Sequence, residues 1–146
     1  MKIRDVMTPD VRTIAPDATL REAAQMMAET DVGMLPVANE DRLVGILTDR
    51  DIAVRAVAAG RGPDAPVQET MSPEIKYCFE DDDLDEVCEN MADQQLRRLP
   101  VVDRDKNLVG IVSLSDLARK GDGEAAGEAL EGITQPGGQH SQRPIH

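Results

Sequence analysis

Apolar residues along this chain follow two rhythms, one of strands and one of helices, and the same succession of rhythms occurs twice. Val11-Arg12-Thr13-Ile14 reads as a short strand ended by Pro16. Leu20, Ala23, Ala24, Met27 and Ala28 then fall at i, i+3, i+4, i+7 and i+8, the spacing of one apolar helix face. Thr19, with Glu22 three residues on, supplies a capping box at the start of that helix. Two apolar runs, 34–38 and 43–47, flank the polar turn Asn39-Glu40-Asp41-Arg42 and predict a hairpin. A second helix is predicted from 49 to 59, with Gly60 placed as its C-terminal stop.

The second half repeats this with different residues. Asp83 and Glu86 form the expected cap, and Leu84, Val87, Cys88, Met91 and Ala92 form the stripe. Runs 99–102 and 108–112 predict a hairpin around residues 103–107, and a helix follows over 114–120 before Gly121. Individual residues recur as well. Asp5-Val6-Met7-Thr8-Pro9 returns as Glu69-Thr70-Met71-Ser72-Pro73, and Leu35-Pro36-Val37 as Leu99-Pro100-Val101, both sixty-four positions on. After one inserted residue, Leu43-Val44-Gly45-Ile46-Leu47-Thr48 returns as Leu108-Val109-Gly110-Ile111-Val112-Ser113, and Asp51 as Asp116. Self-similarity on this scale predicts two strand–helix–strand–strand–helix units. Each is near the size at which a lone domain is marginal, so mutual packing is expected. The turn-rich Arg61-Gly62-Pro63-Asp64-Ala65-Pro66 separates them. The reading is repeat one at 1–62, a linker at 63–67, repeat two at 68–120 and a tail at 121–146. The tail holds six of the eleven glycines and little apolar content, apart from a transient helical turn over 124–131, and is expected to be mobile.

Composition narrows the partners. With no Trp, one Tyr and one Phe, the core must be aliphatic. A net charge of −12 would repel nucleic acid, although Arg97-Arg98 could hold a small anion. No stretch is long enough to span a bilayer, and the first residues lack the apolar run of a signal peptide, so no membrane partner and a cytoplasmic location are expected. Cys78 and Cys88 are too few for a disulfide framework. Cys88 lies on the helix stripe and Cys78 stands where repeat one has Ile14, so both are read as core. Both histidines, His140 and His146, lie in the tail, so no metal site is expected. The acidic run Glu80-Asp81-Asp82-Asp83 lacks the spacing of a calcium loop and suits a helix N-terminus.

The chemistry-bearing pattern is Gly45-Ile46-Leu47-Thr48-Asp49-Arg50-Asp51, mirrored by Gly110-Ile111-Val112-Ser113-Leu114-Ser115-Asp116. Each places a hydroxyl at a strand end and a carboxylate three residues later at a helix start. Amides at the positive end of a helix dipole suit an anion, and the carboxylate could accept hydrogen bonds from a sugar diol. The same spacing is also a capping box that needs no ligand. Duplicated structure duplicates its caps, so both readings stand on the residues alone.

The repeat resembles the cystathionine-β-synthase (CBS) domain, and residues 3–120 resemble a stand-alone CBS pair, or Bateman module. The resemblance rests on the opening Asp-Val-Met-Thr-Pro, on Leu-Pro-Val at both hairpins, and on Gly-hydrophobic-hydrophobic-Ser/Thr-x-x-Asp at both exits. It implies an α/β (α+β) fold of two pseudo-symmetric β-α-β-β-α repeats packed through their sheets, with two clefts that bind adenosine-containing ligands such as AMP, ADP or ATP. It further implies that Asp51 and Asp116 hold ribose hydroxyls, with Thr48 and Ser113 near ribose or phosphate and Gly45 and Gly110 among the nucleotide-binding residues. The base would lie against Thr13, Ile14, Met34 and Pro36 in one cleft, and Tyr77, Cys78, Arg98 and Pro100 in the other. Arg50 could reach phosphate in the first; the second would rely on Arg97, Arg98 or Arg119. Asp49-Arg50 becoming Leu114-Ser115 predicts unequal sites. The expected role is a regulatory ligand sensor, not an enzyme, with no cofactor required. A homodimer and a separate effector protein are the expected partners. The alternative is an interaction homodimer with vestigial clefts.

Overall fold

The computed structural model describes residues 1–120, 127 and 130–134. They form β1 (Thr8–Pro9), α1 (Leu20–Thr30), β2 (Met34–Asn39), β3 (Arg42–Thr48), α2 (Asp49–Asp51, continuing as a π-helical segment over Ile52–Val57), β4 (Cys78–Phe79), α3 (Leu84–Gln94), β5 (Arg98–Val102), β6 (Leu108–Ser113) and α4 (Leu114–Lys120). Single 3-10 turns at Ile3–Asp5 and Val67–Glu69 precede the two Met-x-Pro motifs. The fold is mixed α/β, and its elements recur in two copies, as the periodicity implies.

The chain divides into two compact units, and neither is a continuous stretch. One comprises Met1–Val11, Lys76–Asp105 and Val109 onward; the other comprises Arg12–Ile75 with Lys106–Leu108. The opening segment of each copy therefore packs with the body of the other copy. In the first unit Ile3 and Val6 are buried with Leu84, Val87, Met91, Leu99, Val101, Val112 and Leu117. In the second, Val67 is buried with Ile14, Leu20, Ala23, Leu35, Val37, Leu47 and Ala56.

Backbone hydrogen bonds show how closely the exchange is duplicated. Ile3 N–H donates to the Asp82 carbonyl, and Val67 N–H to that of Ala18, 3.1 and 2.8 Å. Arg4 donates to Glu80 and Gln68 to Pro16; Leu84 donates to Met1 and Leu20 to Ala65. Each second member is its mate displaced by sixty-four positions. The stretch 63–67 is thus tied by its carbonyls to the start of α1, beyond its connecting role. The sheets follow the same rule. In the first unit the order is β1-β6-β5-β4, with β1 antiparallel to β6 and β4 parallel to β5. In the second, the β2–β3 hairpin is flanked by single bridges, Ser72 against Ile46 and Ile14 against Val37. This is the same four-strand order with its outer strands reduced to one bridge each, so the strand expected over 11–14 is present only as the Ile14 bridge.

Of α1 and α3, only α1 starts on its expected side-chain cap. Thr19 Oγ1 accepts from Glu22 N–H, and Glu22 Oε2 accepts from Thr19 N–H, both at 3.2 Å. Asp83 occupies the N-cap of α3 but makes no side-chain cap bond, and its carboxylate pairs with Lys2 Nζ at 3.1 Å instead. The helix expected over 49–59 is regular only to Asp51, and Gly60 ends it at φ +83°. On α1 the stripe narrows to Leu20, Ala23 and Met27, with Ala24 and Ala28 exposed. On α3 Leu84, Val87, Cys88 and Met91 are buried and Ala92 is half-buried. Of the stretch read as a mobile tail, residues 121–126, 128, 129 and 135–146 lie outside the described residues. Within it, 130–133 are helical and Ile133 is buried, a difference from the expected mobility.

Candidate functional site

Both hydroxyl–carboxylate pairs form closed capping boxes. Thr48 Oγ1 accepts from Asp51 N–H and Asp51 Oδ2 accepts from Thr48 N–H, each at 3.0 Å. Ser113 Oγ accepts from Asp116 N–H at 3.2 Å and Asp116 Oδ2 accepts from Ser113 N–H at 3.0 Å. The capping reading is thus realised in both copies, and it leaves chemistry over. Each hydroxyl keeps its own proton to donate, and each carboxylate keeps its Oδ1.

The two Oδ1 atoms differ. That of Asp51 has no partner among the described residues, and the residue is half-buried. Asp116 is only 4% exposed, and its Oδ1 pairs with Arg119 Nη2 at 3.4 Å. Arg119, expected to serve phosphate, is already engaged by the carboxylate it would accompany. Arg50, by contrast, is exposed, with its backbone N–H held by Asp49 Oδ1 at 2.8 Å.

The remaining residues assemble by copy. Met34 pairs with Thr48 across the β2–β3 ladder, and Pro36 with Ile46. Ile14 N–H donates to the Pro36 carbonyl at 3.1 Å, which brings Thr13 and Ile14 beside the same hairpin. In the other unit Cys78 pairs with Val101, and its Sγ contacts the Pro100 carbonyl at 3.8 Å. Leu114 N–H donates to the Arg97 carbonyl at 2.9 Å, so Arg97 abuts the start of α4 while Arg98 opens β5. In the first copy the corresponding bond runs from Asp49 N–H to the Gly33 carbonyl, also 2.9 Å. Gly33, absent from the sequence reading, earns its place by contact, because a Cβ there would meet Asp49 Oδ2 at 2.8 Å.

Two further residues were not singled out as partners of the site glycines. A Cβ on Gly45 would lie 2.5 Å from Met71 Sδ, and one on Gly110 would lie 2.7 Å from Met7 Sδ and 2.8 Å from the Thr8 carbonyl. These methionines belong to the recurring Met-x-Pro motif, so the parallel recurrence of Met and Gly was the available signal.

The chain's one Tyr and one Phe stand together. Tyr77 meets Phe79 edge-on at 5.6 Å, and the Arg104 guanidinium lies 4.2 Å over the Phe79 ring. Arg104 also holds Asp81 through two bonds of 2.7 and 3.2 Å, and the hydrogen bond from that guanidinium lowers the Asp81 pKa. Burial, with the Asp82 charge second, pushes the Cys78 thiol up to about 12. Cys78 is therefore a protonated, inert core thiol at neutral pH. Among the described residues no group of three or more His, Cys, Asp or Glu could hold a metal ion, and no helix is long and apolar enough to cross a membrane.

The family model for the CBS domain matches residues 3–57 and again 67–123. The CBS domain-containing protein YhcV of Bacillus subtilis is 45% identical over 133 residues, covering 90% of this chain and 94% of that one. A crystal structure of Hypoxic Response Protein I with two coordinated zinc ions superposes with a TM-score of 0.75 at 40% identity, covering 82% of this chain and 98% of the other. CBSX2 in complex with AMP superposes at 0.72, with 25% identity and coverage of 81% and 93%. The CBS domain pair of MJ0100, in complex with 5-methylthioadenosine and S-adenosyl-L-methionine, superposes at 0.71, with 28% identity and coverage of 82% and 94%.

Proposed function

We propose that this chain, which belongs to the CBS domain family as a tandem pair, is a regulatory module that senses an adenosine-containing ligand and reports it to a separate protein. The observation that carries this reading is the doubled hydroxyl–carboxylate pair, set in each copy beside the same hairpin and the same flanking strand. Similar structures in complex with AMP, or with 5-methylthioadenosine and S-adenosyl-L-methionine, supply the ligand class.

In the first copy, the free Oδ1 of Asp51 accepts from a ribose hydroxyl and the Thr48 hydroxyl donates to ribose or phosphate. Arg50 is near enough in sequence to meet phosphate charge, and Thr13, Ile14, Met34, Pro36 and Gly45 surround the base and sugar. In the second copy Ser113, Asp116 and Gly110 act with Tyr77, Cys78, Arg97, Arg98 and Pro100. There the ribose must compete with Arg119 for Asp116, so the second site binds more weakly. AMP, ADP and ATP are the first candidates, and no catalytic step is proposed. Signalling requires that ligand bind two conformations of the chain unequally, since equal affinity shifts no population. A homodimer is the proposed assembly; Val54 and Val57, both exposed on the segment after α2, offer apolar surface for it.

The buried, already paired Asp116 favours a second reading, in which at least this site is closed and the chain acts as an interaction module. Thermal unfolding against AMP, ADP, ATP and S-adenosylmethionine separates the two. Ligand at a hundred times its dissociation constant adds about 2.7 kcal/mol of stability. The shift is expected to vanish largely in Asp51→Ala and to shrink less in Asp116→Ala. No shift with any adenosyl compound would leave the interaction module standing.

A further inference from the structure

We propose that the two candidate sites sort adenosyl ligands by charge: affinity at the second rises steeply with phosphate, whereas the first binds the nucleoside part and gains little from phosphate. The inference rests on reading both hydroxyl–carboxylate pairs as nucleotide sites, and the duplication lets them be compared position by position.

One position carries much of the difference. The carbonyl that accepts from the first residue of the following helix belongs to Gly33 in one copy and to Arg97 in the other, each bond 2.9 Å. Against Gly33 lies the Asp49 carboxylate, so close that a Cβ there would stand 2.8 Å from Oδ2, 3.1 Å from Cγ and 3.2 Å from Oδ1. Only the lack of a side chain at 33 admits that carboxylate. The mate of Asp49 is Leu114, which packs against the buried core of its unit, and the residue bonded to it, Arg97, carries a guanidinium. The same place in each copy thus presents an anion in the first and a cation in the second.

Neighbouring positions act in the same direction. Met34 stands across from Thr48 in the β2–β3 ladder, and its mate Arg98 opens β5, the strand beside β6, which ends in Ser113. Arg97 and Arg98 are exposed, and neither guanidinium has a hydrogen bond or ion pair among the described residues. Arg119 stands where the first copy has Val54, and its side chain is 71% exposed while it holds Asp116 at 3.4 Å. Over the six matched positions the first copy sets Arg50 against Asp49 and Asp51, a net charge of −1. The second sets three arginines against Asp116, a net charge of +2. The −12 of the whole chain opposes an anion at both sites alike, so the local difference selects between them. Such charges act over about 8 Å at physiological ionic strength, far enough to reach a phosphate attached to a ribose held by the carboxylate. Uncharged adenosine feels them little. Phosphate also gives Arg119 a second anion to hold, which frees Asp116 for the ribose.

Amide NMR of the whole chain reads the sites separately, through Thr48–Asp51 for the first and Ser113–Asp116 for the second, under titration with adenosine and with AMP. The ratio of AMP to adenosine affinity is expected to be higher at the second site by about tenfold or more, and to fall there as salt is raised. Asp49→Asn is expected to raise the ratio at the first site, and Arg97→Gln with Arg98→Gln to lower it at the second. All three side chains are exposed, so these variants are expected to fold. Equal ratios in wild type, or variants that leave both ratios unmoved, overturn the sorting by charge. If adenosine and AMP alike move neither set of amides, the nucleotide reading fails, and pyrophosphate alone decides the inference. Movement of the Ser113–Asp116 amides at a concentration about tenfold or more below that needed for Thr48–Asp51 sustains the charge difference; an equal response, or none, overturns it.

Discussion

Thr70 is the residue whose environment departs furthest from its chemistry. It is fully buried, and its hydroxyl has no hydrogen-bond partner among the described residues. Its mate in the first copy is Val6, buried in the corresponding place with a methyl where Thr70 has oxygen. A buried hydroxyl without a partner loses its hydration for no return. Thr70→Val is therefore expected to raise stability by about 1 kcal/mol, read as a higher denaturation midpoint at unchanged slope. At this scale the sequence was informative about residue type and silent about prior engagement. Thr48, Asp51, Ser113 and Asp116 could be picked out because spacing and duplication both mark them. That Asp116 is already held by Arg119 could not, because an arginine's reach spans several candidate carboxylates and only the fold selects one.

At the scale of elements, each glycine at a strand centre is matched to a methionine. Replacing Gly110 by Ala drives a Cβ to 2.8 Å from the Thr8 carbonyl, which is backbone and cannot swing aside. At Gly45 the tightest contact is the flexible Met71 thioether, with the Ser72 carbonyl at 3.1 Å. Gly110→Ala is expected to cost about 1–3 kcal/mol and Gly45→Ala clearly less, by chemical denaturation of the two variants side by side. Helices α1 and α3 and both hairpins were legible because each buries one face, and burial imposes a period. The flanking strand was legible in place but not in extent, since the run read as a strand over 11–14 pairs only through a single bridge at Ile14. The π-helical stretch after Asp51 also has no period of its own, so a regular helix was the natural expectation there.

At the scale of the molecule, duplication predicted two units and missed that they trade their first segments. Sequence similarity identifies a copy, and it is blind to which body a segment joins. Ile3 shows the consequence, being fully buried among residues from Leu84 to Leu117. Ile3→Ala is expected to cost about 2–5 kcal/mol. The loss of amide protection should fall on 76–105 and 109–117, with 12–75 retaining theirs. Equal loss in both units would mean that the chain melts as one cooperative body.

The traded segments also impose an order on synthesis. A ribosome adding about 5–20 residues per second delivers Leu117 only several seconds or more after Ile3. Through that interval Ile3 has no complete native core to join. Val67, by contrast, emerges after Ile14, Leu35 and Leu47 and can be buried on arrival. The unit centred on 12–75 is thus ready to close while the other is still being made, and Ile3 and Val6 are among the last residues to find their place.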